Sequence, residues 1–209
     1  MSRNQKYRKI SYYKNYFLDF VSKQSIDIQY KIYWTFDVIE DLWIVPDTYL
    51  KHIVNTNGLY EIRVQVGNDI VRIFCFFETG KLVILINGFQ KKLKKHQKGR
   101  LKWPLNSKLN MKMKNLTTHE EFKDTHFGKV GTKKRDEYEA GYQIFKAGVL
   151  IQVKRLELGM TQEELAAKVG TTKSYISKIE NNIKEARIST LEKIVELGFG
   201  GRLEVSIKI

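Results

Sequence analysis

The sequence predicts two folds in succession: an α+β N-terminal domain, in which a helical pair packs on a small antiparallel sheet, and a mostly α C-terminal domain that ends in a strand. Three observations carry this prediction. Apolar residues recur at helical spacing from Phe17 to Trp43. Between Leu59 and Phe89 the pattern changes to alternation broken by turn dipeptides. After a basic, aperiodic stretch, the chain returns to helical spacing with cap residues in place.

Taken in order, Lys9 to Tyr13 alternates like a short strand. Phe17, Phe20 and Val21, then Ile28, Ile32, Trp34, Phe36, Ile39 and Trp43, form two helical stripes that meet near Ser25, an N-cap candidate, and Pro46 closes the region. Leu59 to Val66, Ile70 to Phe77 and Leu82 to Phe89 read as a three-strand meander, turning at Gly67-Asn68 and at Thr79-Gly80. The last of these strands is apolar on both faces, which predicts a central, covered position. Thr118 with Glu121 makes a capping box for a short helix, interrupted by Gly128 and Gly131. A long helix is expected from about Lys134 to Leu158, ending at Gly159. Ser189 is expected to cap a last helix, Thr190 to Leu197, and the alternating RLEVSIKI to form a terminal strand. The domains are therefore placed at 1–92 and 116–209, with 93–115 as a basic junction.

Composition narrows the function. The 209 residues are 42% hydrophobic and 29% charged, as in globular proteins, and carry a formal net charge of +14. So basic a balance points to a polyanionic partner, nucleic acid before others. The single cysteine, Cys75, sits in an apolar run and reads as a small buried hydrophobe; the four histidines are scattered, so no metal site and no cofactor is expected. The N-terminus has no apolar signal core, and runs such as LVILI fall far short of the ~20 residues a membrane span needs, so a cytoplasmic location without membrane contact is expected.

The most specific motif is TQEELAAKVGTTKSYISKIENN, residues 161–182. Thr161 and Glu164 form a capping box, Leu165 and Val169 face a core, Ala166 allows two helices to cross closely, and Gly170 permits a tight turn. Thr172 caps a second helix whose Ile176 and Ile179 point inward, leaving Lys173, Ser174, Tyr175, Ser177 and Lys178 outward. Hydroxyl, aromatic and basic side chains at a helix N-terminus suit the major groove. The segment closely resembles the Xre/Cro-type helix-turn-helix. That resemblance implies phosphate contacts from Gln162 and Thr172, base reading by Lys173, Ser174, Tyr175, Ser177 and Lys178, and a homodimer, formed through the C-terminal domain, on double-stranded operator DNA.

In the N-terminal half, basic and aromatic residues interleave: Tyr60, Arg63, Arg72, Phe74 and Phe89, then Lys91 and Lys92. Arg72 interrupts an apolar strand, so its charge needs a partner, Glu61 being one, or a solvent-facing cleft. The residues alone fit a salt-bridged strand face and a phosphate-holding cluster equally well. The GLYEIR stretch, the arginine-bearing strand IVRIFCFF and the ending NGFQKK resemble the HigB branch of the RelE toxin superfamily. The resemblance implies a metal-independent, ribosome-dependent mRNA endoribonuclease, with mRNA on the ribosome as a second partner. In its reaction a ribose 2′-OH attacks the adjacent phosphate. Arg63 and Arg72 would stabilise the phosphorane, and Lys91 or Lys92 would serve as base or acid. HigB toxins pair with HigA antitoxins, which the second half resembles in length and order. The chain thus reads as a toxin–antitoxin fusion or, alternatively, as a repressor carrying a catalytically dead remnant.

The junction departs from the family ending, a turn followed by a C-terminal helix. Synonymous codons for Lys92 to Asn115, read from the last base of the Lys92 codon, allow TQKTPKGEIEMALKFKAEYENEK, a turn followed by a capped amphipathic helix. The junction therefore reads either as a one-base frame change near Lys92, with the antitoxin-like part starting at Met111 or Met113 and the toxin-like part truncated and impaired, or as a natural linker of biased composition.

Overall fold

The computed structural model describes residues 6–13, 15–79, 82–91, 116–181 and 186–205. Two compact units result, Met1–Arg135 and Asp136–Ile209.

The first unit is α+β. Its elements are β1 (Lys9–Tyr13), α1 (Tyr16–Val21), α2 (Ile26–Asp41), β2 (Leu50–His52), β3 (Leu59–Val66), β4 (Asp69–Glu78), β5 (Leu82–Lys91), β6 (Leu116–Thr118) and α3 (His119–His126). The strands form one sheet in the order β2-β3-β4-β5-β1-β6. The predicted meander is its centre, and β5 is internal, between β4 and β1. The sheet is larger than the sequence suggested and is mixed, because β1 runs parallel to β5 while the other pairs are antiparallel. Parallel neighbours need a crossover, a relationship that local alternation cannot encode.

The core follows the predicted stripes. Ile28, Ile32, Phe36 and Ile39 are buried along one side of α2, and α2 packs on β3. Facing them, every second strand residue is buried: Ile62 and Val64 on β3, Val71, Ile73 and Cys75 on β4. Each such side chain contributes about 1.5–3 kcal/mol. Burial pushes the Cys75 thiol up from its ordinary value, so it acts as packing material rather than as a nucleophile. Ser25 stands at the N-cap of α2 with extended backbone, but its side chain makes no cap hydrogen bond.

β6 pairs with β1, and α3, opened by the predicted Thr118–Glu121 capping box, packs within this unit beside α2. α4 (Lys133–Glu157) carries the chain into the second unit, which continues through α5 (Gln162–Val169), α6 (Lys173–Asn181) and α7 (Ile188–Lys193). The last helix begins two residues earlier than predicted, with Arg187 rather than Ser189 at the cap, and continues as a π-helical turn over Ile194–Gly198. Arg202 to Val205 are irregular rather than strand, and the rest of the predicted terminal strand lies outside the described residues, as do Lys92 and the junction. Among the described residues no helix is long and apolar enough to cross a membrane.

Candidate nucleic-acid interface

The second unit is built around Ile151, Leu165, Ala166, Val169, Ile176, Ile179 and Ile194. Thr161 Oγ1 accepts from the Glu164 backbone N–H, and Glu164 Oε2 accepts from the Thr161 N–H at 2.7 Å. These bonds hold the Glu164 carboxyl below its usual pKa. Gly170, at φ +69°, takes the left-handed turn that separates α5 from α6, a conformation that favours glycine. Thr172 Oγ1 then accepts from the Tyr175 N–H at 3.2 Å and caps α6.

Two further interactions fix how α6 is presented. Gly148 of α4 lies against the end of α6, where a Cβ would come within 2.6 Å of the Ile179 carbonyl oxygen. Arg155, at the end of α4, donates through Nε to Glu180 Oε1 at 2.5 Å, through Nη2 to Glu180 Oε2 at 3.0 Å and through Nη1 to the Met160 carbonyl at 2.6 Å. Gln162 Nε2 donates to the same Glu180 carboxylate at 2.7 Å. α4, α5 and α6 thus meet on one buried acid.

This geometry sorts the predicted DNA-reading residues. Thr172, just before α6, and Lys173, Ser174 and Lys178 on it are exposed, Lys173 and Ser174 in its first turn and Lys178 in its last. Lys173 leans toward Glu163 at 3.4 Å, an exposed pair that solvent screens. Ser177 and Tyr175 are half-buried, and Tyr175 packs against the core instead of pointing freely outward, because a large ring beside Ile176 gains by covering apolar surface. Gln162 has one amide hydrogen committed to Glu180, leaving one for another acceptor. Sequence reasoning missed Arg155 and Glu180. The signal was a carboxylate directly after the inward pair Ile176 and Ile179, where an arginine one helix earlier can reach it.

The second cluster lies on the first unit. Arg63 and Arg72 are register partners across β3 and β4, both partly exposed. Glu61 Oε1 sits 2.7 Å from Arg63 Nε and 3.6 Å from Arg72 Nη1. Burial lowers the Arg72 pKa from the usual guanidinium value; Glu61 opposes that shift and Arg63 adds to it. Strand alternation puts these three residues on the sheet face opposite Ile62, Val64, Val71 and Ile73, away from α2. Tyr60 therefore lies on the other face, against His52 and Phe77. Lys91 closes β5, its backbone paired with Ile70, two positions along β4 from Arg72. Among the described residues no group of three or more His, Cys, Asp or Glu could hold a metal ion.

Comparison with known proteins matches both halves. Residues 151–197 fit the family described as helix-turn-helix, and residues 19–108 fit the family described as phage-derived protein Gp49-like (DUF891). The second match runs beyond Lys92 into the junction. Two solved structures of the restriction–modification controller protein C.Esp1396I, the wild type and a point mutant, are each 40% identical to this chain. Each match covers 29% of this chain and 77% of that one, with a TM-score of 0.28. No curated protein matches the chain. The chain thus carries a Gp49-like match in its first part and a helix-turn-helix match in its second.

Proposed function

We propose that this chain, whose residues 151–197 match the helix-turn-helix family, is a toxin–antitoxin-like regulator, HigB-like and HigA-like in one polypeptide, that binds double-stranded operator DNA. One observation carries the reading: Thr172, Lys173, Ser174 and Lys178 stand exposed on an α6 whose opposite side is fixed by Glu180, Arg155 and Gln162. A rigidly held helix whose N-terminal side chains are free suits the major groove. Ser174 and Lys178 read base edges, with Ser177 and the tip of Tyr175 flanking them. Thr172, Lys173 and the remaining Gln162 amide hydrogen take phosphates. A homodimer through the C-terminal domain would present two such helices to half-sites about one helical turn apart. The test is binding of the full-length protein to the DNA upstream of its own gene at several salt concentrations. Ser174→Ala and Lys178→Ala should weaken binding to that DNA far more than binding to scrambled sequence. Lys173→Ala should weaken both alike and reduce the salt slope by about one. Equal loss on both DNAs for all three variants would defeat the base-reading assignment.

For the first unit, the reading is a RelE-type fold with impaired activity. Arg63, Arg72 and Lys91, with Lys92 beyond the described residues, would form the mRNA-cleaving cluster, and the impairment is favoured by Glu61, whose one carboxylate is engaged by Arg63 at 2.7 Å and lies 3.6 Å from Arg72, offsetting one of the two positive charges. Growth inhibition and mRNA cleavage that persist unchanged in Arg63→Ala would remove the arginines from the chemistry. Complete inactivity of the full chain leaves the repressor with a catalytically dead remnant. A frame change near Lys92 remains part of this reading, although the Gp49-like match reaching residue 108 weighs toward an in-frame junction. The nucleotide sequence decides it, according to whether the shifted frame encodes the turn and helix.

A further inference from the structure

The antitoxin-like part begins, in sequence, after the junction, yet its first twenty residues belong structurally to the toxin-like unit. β6 completes the edge of the sheet by pairing Leu116, Thr117 and Thr118 with Tyr13, Tyr12 and Ser11 of β1. From the following helix, His119 and Lys123, one turn apart, are both buried. His119 Nδ1 shares a hydrogen bond with the Tyr12 hydroxyl, and its Nε2 lies 3.4 Å from Asp37 Oδ1. Lys123 Nζ donates to the same Asp37 oxygen at 2.7 Å. Asp37 is buried on α2, where a carboxylate needs cationic partners; Lys6 stands 4.0 Å from the same oxygen, and Lys123 is the closer cation. On the neighbouring stripe of α3, Glu120 reaches Lys6 across the contact at 3.1 Å, while the pairs of Arg135 with Glu120 at 2.5 Å and with Asp124 at 2.8 Å brace the segment internally. Phe122 adds ring contacts with Tyr12 and Tyr33.

We infer that residues 116–135 are a docking segment, a polypeptide ligand of the toxin-like unit, and that Asp37 is the acceptor that selects it. The ligand class is a short edge strand followed by a helix presenting an imidazole and an ammonium four residues apart. In this chain the segment is supplied in cis. The same surface on an unfused toxin-like chain would take it from a separate antitoxin-like chain. The inference borrows its biological meaning from the toxin–antitoxin reading, but its test contains no DNA, RNA or growth measurement, so the two fail separately.

The experiment uses the full-length protein with a site-specific protease site placed within residues 93–115. After folding and cutting, the two fragments should remain together in gel filtration and native mass spectrometry. Lys123→Met should weaken their association at least about 30-fold, as expected when a buried ion pair loses one partner. Asp37→Asn combined with Lys123→Met should lose less than the sum of the single changes. Glu120→Gln, at a half-exposed position that folding tolerates, should weaken association several-fold. Fragments that separate in the unaltered protein overturn the inference. So does strictly additive behaviour in the double variant with no effect from Glu120→Gln, which would mean that the charges do not select the segment.

Discussion

Inside the C-terminal unit Arg155, in the last turn of α4, donates two hydrogen bonds to the carboxylate of Glu180, near the end of α6. Because both are buried, removing either charge strands the other. Arg155→Met or Glu180→Gln should destabilise this unit by about 3–5 kcal/mol, seen as a lowered denaturation midpoint, with operator binding lost in parallel. An unchanged midpoint would show that the pair does not hold α6 in place.

Gly148→Ala should also destabilise, against the helix propensity that alone would favour alanine by about 1 kcal/mol. The added methyl meets the Ile179 and Glu180 carbonyl oxygens at 2.6 and 3.0 Å, and backbone cannot swing aside as a side chain can. A net loss of about 1–3 kcal/mol in thermal unfolding is expected. Net stabilisation would mean that α4 and α6 do not approach so closely.

Docking of α3 should weaken in acid. Burial alone would raise the Glu120 carboxyl, but Lys123, Lys6 and Arg135 outweigh it and lower the pKa from 4.5 to about 2. Burial likewise opposes, and His119 and Lys123 override, in holding Asp37 below the usual carboxylate range. Groups depressed on folding contribute stability above their unfolded pKa and lose it as pH falls toward the folded one. Protection factors of the α3 amides, with the intrinsic pH dependence of exchange divided out, should therefore fall between about pH 4.5 and 2. A pH-independent protection pattern over that range would exclude these ion pairs as a source of stability.

Glu61→Gln should release the two arginines beside it. In a Lys173→Ala, Lys178→Ala background, which silences α6, the protein should bind a single-stranded RNA oligonucleotide more tightly, with a salt slope steeper by about one. Unchanged affinity would argue that this sheet face is structural.

Periodicity made the three central strands, both N-terminal helices and the helix-turn-helix legible, because each is written in the local spacing of its own apolar residues. What escaped depended on partners distant in sequence. The parallel β1–β5 pair and β6 join segments across a helical crossover and the junction. The ion-pair role of His119 and Lys123 was not read, since nothing local reveals that Asp37 lies beside them on α2. In the recognition helix the outward set was read correctly for Lys173, Ser174 and Lys178 and too generously for Tyr175, whose ring prefers the core edge.

The sheet of the first unit acts as a partition. Tyr12, Phe36 and α3 share one side, while Glu61, Arg63 and Arg72 occupy the other. A polyanion settling on the arginine side would compete with α3 for no atom, so any influence of one occupancy on the other has to pass through the sheet itself or through the field of their charges.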